Sequence, residues 1–167
     1  MIGARWGATA EEIAEPQPCD ALADADAHQA DRAISIDAPV AVVYRWLCQL
    51  RAAPYSYDLL DNRGRRSPRT LTPGLEQLAP GQRVMTLFTI VSFAHDEHLT
   101  IHSGRHTAVT YAVRPERTGT RLTVRIRFAR PLWLAQPIVL GDLAMMRRQL
   151  LNLKALAERD AMGAEPS

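Results

Sequence analysis

A long amphipathic stretch near the C-terminus constrains the fold of this chain more than any other feature of the sequence. Apolar side chains recur in it at intervals of four and three residues, at Val139, Leu143, Met146, Leu150, Leu153 and Ala157. This spacing places them on one face of an α-helix, and Arg147, Arg148, Asn152 and Arg159 are left for the solvent side. A helix of this kind has to bury its apolar face against another layer of structure.

The segment before this helix has the pattern of β-strands. Residues 83–94, 98–102, 107–114 and 120–129 predict strands, and 115–119 predicts a hairpin loop between the last two. Further upstream, residues 33–36 predict a short strand, and a helix follows through Leu50, with Pro39 in its first turn. The order predicts an α+β fold in which a curved antiparallel sheet wraps around the C-terminal helix, with one or two short helices after the first strand.

Length and charge suggest one folded domain with two tails. A chain of 167 residues is the size of a single domain. Residues 1–31 contain seven acidic residues and one basic residue, are rich in Ala, Asp and Pro, and lack a sustained apolar period, so they predict a flexible acidic tail. The folded domain is expected over 32–160, and 161–167 is expected to be a C-terminal tail. No apolar run is long enough for a membrane span, and two cysteines are too few for a disulfide scaffold, so we expect a cytoplasmic protein.

Two stretches carry a resemblance to a known family. One is Ile34-Ser35-Ile36-Asp37-Ala38-Pro39 with Val43-Tyr44 and Trp46-Leu47; the other is Gly141-Asp142-Leu143 with Met145, Arg147 and Gln149-Leu150. They resemble the START-related SRPBCC superfamily, which has the helix-grip fold and includes polyketide cyclase/dehydrase-like proteins. The resemblance extends from about residue 32 to 159. It implies a mostly apolar cavity for a hydrophobic small molecule such as a lipid, a polyketide or a steroid, but it assigns no catalytic residue.

Large apolar and aromatic side chains, most of them on the predicted sheet and helices, are the candidates for lining that cavity. They are Trp46, Tyr57, Met85, Phe88, Phe93, Tyr111, Phe128, Trp133 and Met146. Methionine suits an adaptable pocket, although each of these residues taken singly is more typical of a packed core. We expect an apolar small molecule as the partner, and the sequence leaves a homodimer open.

Catalysis has weaker support. The chain has no serine-hydrolase, zinc-protease, phosphate-loop or dinucleotide motif. If the cavity serves a polyketide cyclase/dehydrase-like enzyme, Tyr57, Asp58 and His98 are the candidates for moving protons. The Asp and Asn residues of the loop 55–62 are more typical of turns, so whether the protein is an enzyme stays open.

Metal, cofactor and nucleic-acid binding are not expected. His98 and His102 share a strand face but lie about 13 Å apart, too far for one metal ion. Arg114, Arg121, Arg125 and Arg127 predict a basic stripe on the outer face of the last hairpin, and without interleaved aromatic residues a solvated sheet face is favoured over a nucleic-acid site. The remaining alternative is an interaction module that docks through this basic face.

Overall fold

The structure is a computed structural model that describes residues 4–24, 26–56, 66–85, 87–104, 107–128 and 132–163, with side chains omitted over 132–142. The strands are β1 (Arg5–Trp6), β2 (His28–Ile36), β3 (Arg83–Val84), β4 (Phe88–Ala94), β5 (His98–Ser103), β6 (Thr107–Glu116) and β7 (Gly119–Phe128). The α-helices are α1 (Ala10–Ala14), α2 (Val40–Cys48) and α3 (Leu132–Gly163). Two short 3₁₀ helices span Pro18–Leu22 and Gln49–Arg51.

In the described part of the chain the strands form one sheet in the order β1-β2-β7-β6-β5-β4-β3. β1 runs parallel to β2, and the other neighbouring pairs are antiparallel. A register shift between Ile90 and Ser92 in β4 marks a bulge, which increases the twist of a sheet. The long helix α3 packs on one face, so the α+β helix-grip architecture expected from the sequence is confirmed.

The face of the sheet that α3 covers, here called the inner face, carries the hydrophobic core. Paired residues of β5, β6 and β7 on this face are almost completely buried: Leu99, Ile101, Val109, Tyr111, Val124 and Ile126. From α3, Leu150, Leu153, Leu156 and Ala157 are buried in the same cluster. The C-terminal half of the predicted helical stripe is therefore the half that is seen to fill the core.

The described part of residues 1–31 does not form the flexible tail that the sequence predicts for this segment. It packs against the sheet, with β1 along β2 and Cys19 fully buried beside β6. Thr9 and Glu12 form a capping box at the start of α1. A methyl group added to Gly7, where φ is +73°, would lie 2.1 Å from the carbonyl oxygen of Ala33, so the backbones approach closely there.

The outer face of the sheet explains why this segment is ordered. Arg125 is 4% exposed and uses all five of its N–H groups: they are donated to the carboxylates of Asp31 and Asp20 and to the carbonyl oxygens of Glu12, Ile13 and Glu15. Four of these five acceptors precede β2, and the fifth, Asp31, lies in β2 itself.

Glu12 forms the second half of this outer-face ion-pair network. Its carboxylate accepts hydrogen bonds from Arg121 at 2.8 Å and from Arg114 at 2.7 Å. These bonds to arginine lower the pKa of Glu12 to about 2, against the opposing effect of burial. The expected solvated basic stripe is thus wrong, because the acids of residues 12–31 cover and neutralise it. The arginines of this face form ion pairs with acids of the same chain. The structure therefore gives no support to the alternative in which the protein docks onto a partner through this basic face.

Candidate functional site

A recess lies beside α3, between this helix and the residues that follow α2. Its volume is about 360 Å³. It is lined by Tyr55, Arg66, Ser67, Arg69, Asn152 and Leu156. The size is at the lower end of the range for small-molecule sites in proteins. We call it the α3 recess.

Two amide side chains of α3 hold the chain beside this recess, and one of them, Asn152, also lines it. Asn152 donates from Nδ2 to the carbonyl oxygen of Tyr55 at 2.8 Å, and Gln149 donates from Nε2 to that of Pro54 at 2.6 Å. The two amides are three residues apart and therefore lie on adjacent turns of the same helix side. They hold the backbone at Tyr55, whose φ of +55° is unusual for a residue with a side chain.

A buried polar cluster on the inner face contains the other amide, Gln149. Tyr111 donates its hydroxyl hydrogen to Oε1 of Gln149 at 2.9 Å. The sulfur atoms of Met146 and Met85 lie 3.9 Å from the Tyr111 hydroxyl and 3.3 Å from the Gln149 amide nitrogen. The hydroxyl and the amide are hydrogen-bonded within the fold, and the two flexible methionines beside them can adapt to the shape of a neighbouring group.

The structure brings together three of the residues expected to bind ligand. Tyr111, Met85 and Met146 meet in the buried polar cluster. Trp46 lies next to the α3 recess, because its ring packs edge-on against Tyr55 at 5.9 Å, but it is fully buried and donates to Asp160.

The other expected ligand-binding residues are placed elsewhere or lie outside the described part. Phe128 packs against His28 at 5.6 Å, Phe88 packs partly buried against the core, and Phe93 remains 36% exposed opposite Leu99. Tyr57 and Asp58 lie outside the described residues, as does the side chain of Trp133.

Of the three candidates for proton transfer, only His98 is described, and it is not part of this arrangement. Its strand neighbour Leu99 pairs with Tyr111 on the inner face, so His98 lies on the outer face. Burial lowers the pKa of His98. The sheet therefore separates this imidazole from the buried polar cluster.

Two other groups with potential reactivity are held in unreactive forms. Burial raises the pKa of the Cys48 thiol to about 12, and it also raises the pKa of the Tyr44 hydroxyl. Among the described residues, no three His, Cys, Asp or Glu side chains come close enough to hold a metal ion.

Sequence reasoning missed the residues that shape the recess. The sequence includes Gln149 only in the family resemblance and predicts Asn152 on the solvent side, and no pattern points to Arg66 or Arg69. One signal exists for Gln149: it lies three residues after Met146 and four before Leu153, on the apolar side of the helix, and a buried amide there needs partners. Nothing in the pattern could place Arg66 and Arg69 beside α3, because that contact depends on the path of the chain after α2.

The fold is the helix-grip fold, with a recess of about 360 Å³ beside the C-terminal helix. Solved structures agree with this class of fold. Protein Ms6760 from Mycobacterium smegmatis aligns with a TM-score of 0.57 at 18% identity over 83% of this chain and 96% of that one. Protein SSP2350 from Staphylococcus saprophyticus gives 0.56 at 13% identity, covering 80% and 94%.

A third structure connects the fold with the resemblance seen in the sequence. It is the Polyketide_cyc-like protein Cgl2372 from Corynebacterium glutamicum, with a TM-score of 0.51 at 13% identity over 86% of this chain and 99% of that one. At these identities the likeness shows a shared helix-grip fold. No protein-family model and no curated protein matches the sequence. No helix in the described ranges combines the length and apolar character required to cross a membrane.

Proposed function

We propose that this protein binds a mostly apolar small molecule between the sheet and α3, and that the molecule enters through the α3 recess. The observation that carries the proposal is the recess of about 360 Å³, which lies one helical turn from the buried polar cluster. Affinity would come mainly from burial of apolar surface, at ~25 cal/mol per Å² before the cost of association.

The polar groups at this place support binding of a molecule that is apolar over most of its length. Tyr55 and Leu156 supply apolar surface in the recess, and Met85 and Met146 supply it in the buried polar cluster. Ser67 and Asn152 at the recess are then suited to orient a polar group of the ligand. This combination of a few fixed polar groups with adaptable apolar ones is typical of small-molecule sites.

Closing the recess tests the proposal. Asn152→Trp places a large ring in the recess and should weaken binding of the neutral apolar dye Nile red by about tenfold or more, which corresponds to ~1.4 kcal/mol. Leu151→Trp is the matched control, since Leu151 is the adjacent helix residue, is 40% exposed and does not line the recess. Dye fluorescence gives both affinities, and thermal unfolding verifies that both variants are folded. Equal binding by the two folded variants would contradict the proposal.

A further inference from the structure

The α3 recess has a charge pattern that identifies the polar end of its ligand. Two arginines, Arg66 and Arg69, line it, and the other lining residues are Tyr55, Ser67, Asn152 and Leu156. Among the described residues that line it, none is acidic. Because both arginines belong to one short segment and line one recess, they contribute two positive charges to it.

Most other arginines in the described ranges are already engaged. Arg45, Arg114, Arg121, Arg125, Arg127 and Arg159 each have a carboxylate at salt-bridge distance. Arg32 and Arg51 donate to backbone carbonyl oxygens, and Arg147 lies over the Trp6 ring. Arg66 and Arg69 form no such contact with any part of the described chain. Arg5, Arg83 and Arg117 likewise have none, but they are not among the residues that line the α3 recess.

Paired guanidinium groups without acidic partners match one ligand chemistry. Arginine presents a planar fork of donors that fits the two oxygens of a carboxylate or a phosphate. Ser67 and Asn152 add polar groups at the same rim, while Tyr55 and Leu156 offer surface to an apolar chain. From this arrangement we infer that the ligand is an anionic amphiphile, whose carboxylate or phosphate is bound by Arg66 and Arg69 and whose apolar part extends toward the buried polar cluster. This inference rests on the function proposed above.

Three ligands with twelve carbon atoms each separate the contribution of the anionic head group from that of the apolar chain. Dodecanoate, dodecyl phosphate and dodecanol are compared as competitors of Nile red. At least one of the two anions should bind about tenfold more tightly than dodecanol, and the preferred anion identifies the head group. Added salt should reduce that preference, because it screens the exposed arginines.

The double variant Arg66→Gln/Arg69→Gln should remove the preference, so that neither anion binds more tightly than dodecanol. The matched control is Arg5→Gln/Arg117→Gln, which removes the same charge at exposed positions away from the recess and should keep the preference. Equal affinity for all three ligands would overturn the inference while the proposed function stands. An anion preference that survives in Arg66→Gln/Arg69→Gln would overturn it as well. Failure of all three ligands to displace the dye would count against the proposed function itself.

Discussion

Replacement of Arg125 by methionine is expected to destabilise the folded protein by about 3–5 kcal/mol, the usual cost of removing one partner from a buried ion pair. Methionine keeps most of the apolar length of the side chain but donates no hydrogen bond. The carboxylate of Asp31, which is 8% exposed, then loses its arginine, and the carbonyl oxygens of Glu12, Ile13 and Glu15 lose their donor. Urea unfolding gives the free energy, and limited proteolysis reports whether residues 4–24 detach first.

Arg45→Met is the control for this effect. Arg45 also forms an ion pair, with Glu76 at 2.9 Å, but the two side chains are 50% and 41% exposed. Exposed pairs contribute about 0–1 kcal/mol, so this variant should unfold almost like the wild type. If Arg125→Met costs no more than Arg45→Met, the N-terminal segment is not a stabilising part of the fold.

Acid should weaken the protein through Glu12. The pKa of Glu12 is about 2 in the folded protein, against 4.5 for an unperturbed glutamate side chain. Its side chain is 3% exposed. A lowered folded-state pKa means that the stabilisation is complete above pH ~4.5 and is lost as the pH falls toward ~2. The difference corresponds to about 3 kcal/mol at neutral pH. Chemical unfolding at a series of pH values between 2 and 6 measures the loss.

Glu12→Gln isolates the contribution of this one carboxyl from those of the other acids. At pH 7 the variant should be less stable than the wild type by an amount of about 3 kcal/mol, and the difference should shrink as the pH falls through the window. Glu76→Gln, in the exposed pair with Arg45, should show almost no difference at any pH. A constant gap between Glu12→Gln and the wild type across the whole series would refute the role given to Glu12.

The parts of the fold that could be predicted from the sequence are those set by local periodicity. The stripe from Met146 to Ala157 identified the buried face of α3, and the alternation of Leu122, Val124 and Ile126 identified the inner face of β7. Such patterns can be recognised in the sequence because the period of a helix or a strand decides which nearby side chains share a face. The helix-grip arrangement then followed from the order of the elements.

The packing of the N-terminal segment against the sheet could not be predicted from local periodicity. The acidic residues looked solvated because their partners are remote: Glu12 and Arg121 are separated by 109 residues and Glu12 and Arg114 by 102. The sequence shows that residues 1–31 are acidic and that the last hairpin is rich in arginine. Only the tertiary structure shows that these opposite charges pair with each other within one chain. The α3 recess was equally hidden, since Asn152 and Arg69 are brought together by tertiary structure.

Native mass spectrometry of the intact protein, incubated in turn with dodecanoate and with dodecanol, tests the claim of a small-molecule site most directly. We expect one bound amphiphile on the chain of 18.6 kDa, retained in Leu151→Trp and lost in Asn152→Trp. Only the mass of the bare chain after both incubations, or adducts of equal abundance in both variants, would contradict a ligand site between the sheet and α3.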